Sequence, residues 1–387
     1  MSRIVDEHRQ FLEDKLRLRA LDRAIRELIH APDIVLDLAS GTGILGLFAC
    51  RAGAIKVYSV DDGGMLGLAR SIGRLNGFGD RQVCIKGHSS RINLPERVDV
   101  IVADQIGRFG FDAGLFEDFD HARLRFLKPG GRLIPSSVQL HVAPVENFQM
   151  AENVAFWKTP VEGFDFSSAW KVASNTGYPV KYSPDQILGS PVQGCDIDLY
   201  QAAPNPLRLE ALLEIRRTGT LHGIGGWFSA RLSPSVTMTN SPLARDSINR
   251  RNVFFPLPEA VAVNAGDRIR VLMFIRAADL LVTWTGEITD SSSGAVKGRF
   301  SQSTLQGMLV PREDLNMTDP SSIPRLNPWG EARRTVLELT DGSRALREIE
   351  HGVFQKHPDL FPDPASAAIF TAEVITRYST PGAASGT

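Results

Sequence analysis

The chain has 387 residues, 43% hydrophobic and 22% charged, enough for two or three domains and typical of an ordinary globular protein. A formal charge of −1 argues against the basic footprint of a nucleic-acid or membrane-surface binder. Cys50, Cys84 and Cys195 are widely separated, with no CxxC pair, which argues against a disulfide framework or a metal site and fits buried free thiols in a reducing cytoplasm.

The first segment, "MSRIVDEHRQFLEDKLRLRA", is charged and helical rather than a signal peptide. Phe11, Leu12, Leu16, Leu18 and Leu21 form an approximate helical stripe over 6–30, which Pro32 ends. Strand and helix patterns then alternate: strands at Ile34–Leu38, Val57–Val60, Val83–Lys86 and Val98–Ala103, and helices at Ile44–Arg51, Met65–Asn76 and Phe116–Phe126. "LKPGG" (127–131) reads as a turn before a strand at Arg132–Ile134. This alternation predicts an α/β domain over 1–135 with a covered parallel sheet. Beyond it, segments such as "RIRVLMFIRA" and "LLVTWTGEI" alternate in polarity, predicting an antiparallel β-barrel or sandwich over 136–310, interrupted by an insertion at about 155–188. Residues 311–330 read as a linker, 331–378 as a helical module and 379–387 as a disordered tail. No apolar run is long enough to span a bilayer.

"VLDLASGTGILGLFAC" (35–50) holds Gly41-x-Gly43-x-x-Gly46. Such glycines let backbone approach a ligand, and the helix that follows offers N–H groups. Asp61, about 20 residues on, can accept from ribose hydroxyls. These residues place an adenosine-type ligand without identifying it. Asp37, inside the strand, can orient the loop and lies close to where a ligand ammonium would be. Asp37 and the "KPGG" turn count against a nicotinamide dehydrogenase. Arg17, in the preceding helix, suits a methionyl carboxylate.

"HRQFLEDKLRLRALDRAI" (8–25), the glycine loop, "FWKTPVEGFDFSSAWKVAS" (156–174) and "FFPLPEAVAVNAGDRI" (254–269) occur in this order on one chain. Together they resemble the protein arginine methyltransferase family over most of residues 6–290. "FLKPGGRLI" (126–134) is similar to the turn that leads into the antiparallel hairpin at the edge of class I methyltransferase sheets. The resemblance implies a class I methyltransferase Rossmann-like sheet followed by a β-barrel, with S-adenosyl-L-methionine as cofactor. It implies cofactor contacts at His8, Arg17, Asp37, Ala39, Gly41, Gly43, Asp61, Ser89 and Ser90, the last at the adenine-contacting position. The stretch 156–174 is similar to an arm through which the family dimerises, implying a homodimer.

The resemblance weakens at the acceptor. The family holds a guanidinium between two glutamates; in "ADQIGRFGFDAGLF" (103–116) Asp104 stands at the first position and Ala113 at the second, with Asp112 adjacent. Gln105 and Arg108 replace aromatic residues, and Ile248, Asn249 and Arg250 replace a Thr-His-Trp loop. A guanidinium matches paired carboxylates bidentately, and a single shorter acid orients it less. Asp104 and, secondarily, Asp112 are therefore the candidate catalytic acids, with Arg108, Asn249 and Arg250 as candidate contacts to a zwitterionic or anionic small-molecule or peptide acceptor. Two readings stay open beside this one: a protein or free arginine methyltransferase using Asp104 and Asp112, and a non-catalytic cofactor-binding regulator. "VLELTDGSRALREIE" (336–350) resembles a winged-helix-like module of peptide-binding chaperones, with a helical cap on the barrel as the alternative.

Overall fold

A computed structural model describes residues 4–380, in two compact units divided between Met308 and Leu309. The tail read at 379–387 lies outside the described residues from 381 onward.

The first unit opens with two helices, α1 (Ile4–Glu13) and α2 (Lys15–Leu28). Asp14 separates them and caps α2, its carboxylate accepting from the Arg17 N–H. The α/β layer follows as β1 (Ile34–Leu38), α3 (Ile44–Ala52), β2 (Lys56–Asp61), α4 (Leu66–Leu75), β3 (Gln82–Lys86), β4 (Val98–Ala103), α5 (Leu115–Phe126) and β5 (Leu127–Ile134). The sheet is parallel, in the order β3-β2-β1-β4-β5. β1 and β4 are central, so both faces are covered and the strands read as continuous Val, Ile and Leu. The strand order reverses between β1 and β4, which opens a crevice at the carboxyl ends of these strands.

β5 bears on two expectations. β5 runs from Leu127, but "LKPGG" interrupts its ladder as a turn would: Leu127 pairs with Val98, Gly130 takes a φ of +73°, and parallel pairing with β4 resumes at Arg132, where the strand was expected to begin. Among the described residues no antiparallel hairpin closes the sheet: β6 (Ser137–Val145) leaves it and pairs in the barrel.

β6 is followed by α6 (Phe148–Ala155), α7 (Ser168–Ala173), β7 (Tyr178–Val180), β8 (Val192–Asp198), β9 (Leu207–Glu214), β10 (Gly219–Arg231), β11 (Thr237–Thr239), β12 (Asn252–Val263), β13 (Arg268–Arg276), β14 (Leu281–Thr289) and β15 (Val296–Ser303). Two antiparallel sheets result, β7-β12-β10-β6-β8 with β11 on β10, and β15-β14-β13-β9. β9, "LRLEALLE", alternates buried and exposed residue by residue, as a strand with one face on a core must. Phe228, Phe255, Met273 and Trp284 fill that core, and the indole of Trp284 donates to the Pro256 carbonyl at 2.9 Å.

The second unit holds α8 (Arg312–Met317), α9 (Pro328–Leu339), α10 (Leu346–Lys356) and α11 (Pro364–Tyr378). The stretch read as a linker thus contains a short helix. α9 to α11 pack around Val336, Ile349, Val353, Phe361 and Phe370. Among the described residues of this unit there is no strand, so the wing of a winged-helix module is missing. Cys50 is buried, but Cys84 and Cys195 are only partly so.

Candidate active site

Glycine geometry shapes the loop between β1 and α3. Gly41 and Gly43 adopt φ of +52° and +77°, which side chains disfavour. A Cβ on Gly41 would stand 2.5 Å from the His8 ring, so α1 lies directly over the loop. Gly43 points inward instead: a Cβ there would meet Gln82 at 2.7 Å. Gly46 lets α3 approach the sheet, since its Cβ would meet Gln82 and Ser59 at 2.8 Å and Asp37 at 3.1 Å.

Asp37 lies beneath this loop, fully buried, away from the surface at which an ammonium was expected. One of its oxygens accepts from the Gly46 N–H at 3.0 Å and the Ser59 hydroxyl at 3.3 Å, and the other has no partner. Burial raises its pKa to about 7, with those two hydrogen bonds opposing. It orients the loop, the other role expected of it.

Asp61 ends β2 and faces a cavity of about 310 Å³ that Ala39, Ser89, Gln105 and Asp118 also line, within the size range of small-ligand sites. Its carboxylate accepts from the N–H groups of Gly41 at 2.8 Å and Gly63 at 2.7 Å, which fixes it with lone pairs to spare for a ribose. Ser90 departs from expectation: it is exposed, and its hydroxyl bonds His88 Nδ1 at 2.8 Å. Ser89 faces inward and donates to Asp118 at 2.8 Å.

On the acceptor side, Asp104 sits at the end of β4 between two guanidiniums. Its side chain is 4% exposed. Arg17 Nε donates to Oδ2, Arg250 Nη2 lies 3.1 Å from the same oxygen, and Arg250 Nη1 lies 3.4 Å from Oδ1. Burial works to raise this carboxyl, but the two guanidiniums outweigh it and hold the pKa below the ordinary carboxylate range. A carboxylate so stabilised is a weak base, which tells against Asp104 as a proton acceptor. The remaining contact, from Arg17 Nη1 to the Phe11 carbonyl at 2.9 Å, ties α1 to the site.

Asp112 closes its own loop. It accepts from the N–H groups of Arg108 at 2.7 Å and Phe109 at 2.9 Å, and a Cβ on Gly107 would collide with it. That geometry makes it a turn residue rather than a second catalytic acid. Arg108 is half exposed, 3.3 Å from Asp112. The side chain of Asn249 accepts from Lys181 at 2.8 Å, and only its backbone N–H reaches inward, to Asp14 at 2.7 Å. Of the three residues expected to touch acceptor, Arg250 alone turns to the acid.

Two residues escaped sequence reasoning. Asn240, buried, donates to the carbonyls of Arg108 at 2.8 Å and Arg251 at 2.9 Å and so pins the acid-bearing loop to the barrel. Asp118 gathers Ser89, His88 and Gln105. Neither lies in a motif, and their partners are remote in sequence.

Both the α/β part and the barrel resemble known proteins. Residues 136–280 match the family model described as "Arginine methyltransferase oligomerization subdomain", and 14–141 match "Ribosomal protein L11 methyltransferase (PrmA)". Protein arginine N-methyltransferase 1 of Schizosaccharomyces pombe is 31% identical over 288 residues, covering 70% of this chain and 82% of that protein. Its namesake from Dictyostelium discoideum is 27% identical over 305 residues, covering 74% and 89%. Among solved structures, the Trypanosoma brucei PRMT1 enzyme-prozyme complex with AdoHcy superimposes with a TM-score of 0.69 at 23% identity, covering 76% of this chain and 96% of that one. Arabidopsis thaliana protein arginine methyltransferase 10 gives 0.68 at 23% identity, covering 77% and 97%.

Proposed function

The chain belongs to the protein arginine N-methyltransferase family, an S-adenosylmethionine-dependent methyltransferase, and from that premise we propose that it methylates the nitrogen of an amino-acid-like or peptide acceptor carrying a carboxylate. One observation carries the reading: the acid at the acceptor loop, Asp104, is occupied by Arg17 and Arg250, and the second acid is replaced by Ala113. Two guanidiniums on one carboxylate leave a net positive charge at the acceptor side. That charge repels a cationic arginine and draws in a carboxylate.

The residues present fit the cofactor. The Gly41–Gly43 loop has no room for side chains, and Asp61 opens onto the cavity with lone pairs free. Bound there, the cofactor supplies a sulfonium methyl group, an electrophile that needs an aligned nitrogen. Asp61 would hold the ribose hydroxyls. Arg17, with Nη2 uncommitted to the contacts above, would hold the methionyl carboxylate. His8 and Phe11 on α1 would cover the loop and exclude water. Arg250 would anchor the acceptor's carboxylate, so that catalysis rests on positioning.

A second reading has its own support, since the relatives are named protein arginine N-methyltransferases. In that case an incoming guanidinium displaces Arg250 from Asp104. The variant Arg250→Ala separates the two. If Arg250 anchors a carboxylate, the variant loses methyl transfer to carboxylate-bearing amines. If Arg250 merely occupies Asp104, the variant gains activity on arginine peptides.

We further propose that the arm pairs two copies of the chain. It presents Phe156, Phe164 and Phe166 to solvent, the second 70% exposed, and such a concentration of aromatic surface is characteristic of an interface.

A further inference from the structure

Resting on the cofactor reading above, we propose that Asp118 and Gln105 recognise the 6-amino group of the cofactor's adenine, in place of position 90.

Asp118 lies in the first turn of α5, buried, and lines the same cavity as Asp61. Oδ1 accepts from Ser89 Oγ at 2.8 Å and lies 3.1 Å from His88 Nε2. Oδ2 accepts from Gln105 Nε2 at 2.9 Å. The backbone N–H of Ser90 points at His88 Nδ1 at 3.3 Å, so that nitrogen is an acceptor and Nε2, on the side of Asp118, carries the hydrogen. A carboxylate has about four acceptor positions. Ser89 takes one on Oδ1 and Gln105 takes one on Oδ2, so Oδ2 keeps a free acceptor position.

Gln105 supplies the second acceptor. An ionised carboxylate only accepts, so the Gln105 amide must turn its NH2 toward Asp118 and its oxygen away. That oxygen, Oε1, is buried and has no partner among the described residues. A buried acceptor left unpaired costs free energy unless a ligand supplies a donor. Both residues line the same cavity, and Oδ2 of Asp118 and Oε1 of Gln105 are each short of one N–H. Adenine's exocyclic amine carries two N–H bonds and is the base's only exocyclic donor. Ser90 cannot serve: it is exposed, absent from the cavity lining, and its hydroxyl is engaged by His88.

The test compares calorimetric binding of S-adenosyl-L-homocysteine and S-inosyl-L-homocysteine, in which a carbonyl replaces the amine. The parent protein should prefer the adenosyl form by about 100-fold or more, because an O6 atom would face two acceptors. Asp118→Asn offers an NH2 instead, and Gln105→Leu removes an acceptor; in each the preference should shrink at least tenfold while adenosyl binding persists, a readout that general loosening would not produce. The proposal is overturned if both variants keep the parental preference, or if Ser90→Ala abolishes it. If the parent binds neither compound, the cofactor reading itself fails and takes this one with it.

Discussion

Asp37 offers a quantitative test of the loop's construction. It is wholly buried, hydrogen-bonded through one oxygen only, and its carboxyl is raised to about 7 by burial. In the unfolded chain the same group ionises near 3.9. Between those values the native state keeps a proton that the unfolded chain has released, so stability falls as pH rises. The loss is about 1.4 kcal/mol per pH unit and accumulates to about 4 kcal/mol once the folded pKa is passed. It is absent below about pH 4 and complete above about pH 7. Asp37→Asn cannot titrate. The unfolding free energy of D37N relative to the parent should therefore rise by about 4 kcal/mol between pH 4 and pH 8, since titrations elsewhere cancel in the difference. Urea unfolding, followed by fluorescence of the buried Trp227 and Trp284, measures it at each pH. A difference that stays flat across that range would refute burial as the force holding the proton.

Other outcomes follow from the same contacts. Gly46→Ala forces a methyl against Gln82, Ser59 and Asp37 and should lower unfolding free energy by about 1–3 kcal/mol in denaturant titrations, overpacking outweighing the gain in helix propensity; an unchanged midpoint would mean the helix sits further out. Arg17→Ala removes a partner of Asp104 and the tie to Phe11; S-adenosyl-L-homocysteine affinity should fall at least tenfold and α1 should become sensitive to proteases, and parental affinity would discount Arg17 as a cofactor ligand. The double variant Phe164→Asp with Phe166→Asp should convert a dimer to a monomer by light scattering, while an unaltered mass would remove the arm from the interface.

The parts legible in sequence were those encoded locally. A strand of Ile, Val and Leu running into spaced glycines, with an acid closing the next strand, needs only neighbours to be recognised, and Gly41 and Asp61 meet as that pattern requires. Alternating polarity likewise marked β9, β13 and β14. What was hidden depends on side chains far apart in the chain. Arg250 reaches Asp104 across 146 positions and Asn240 reaches Arg108 across 132, and no spacing rule encodes either. Adjacent residues also part company for reasons invisible in one dimension: Ser89 turns into the cavity while Ser90 turns out to His88, and Arg250 turns inward while Asn249 turns to Lys181. Asp112 resembled a displaced catalytic acid because its value as a turn residue depends on the positive φ of Gly107.

The most direct measurement of the acceptor side is a competition with labelled S-adenosylmethionine between an arginine-rich peptide and amines bearing a carboxylate, scored by kcat/KM. An acceptor side at which Asp104 is paired with both Arg17 and Arg250 should favour the carboxylate-bearing amines by at least tenfold, and Arg250→Ala should erase that preference. Efficient labelling of the arginine peptide by the parent, with the carboxylate-bearing amines left unlabelled, would contradict it.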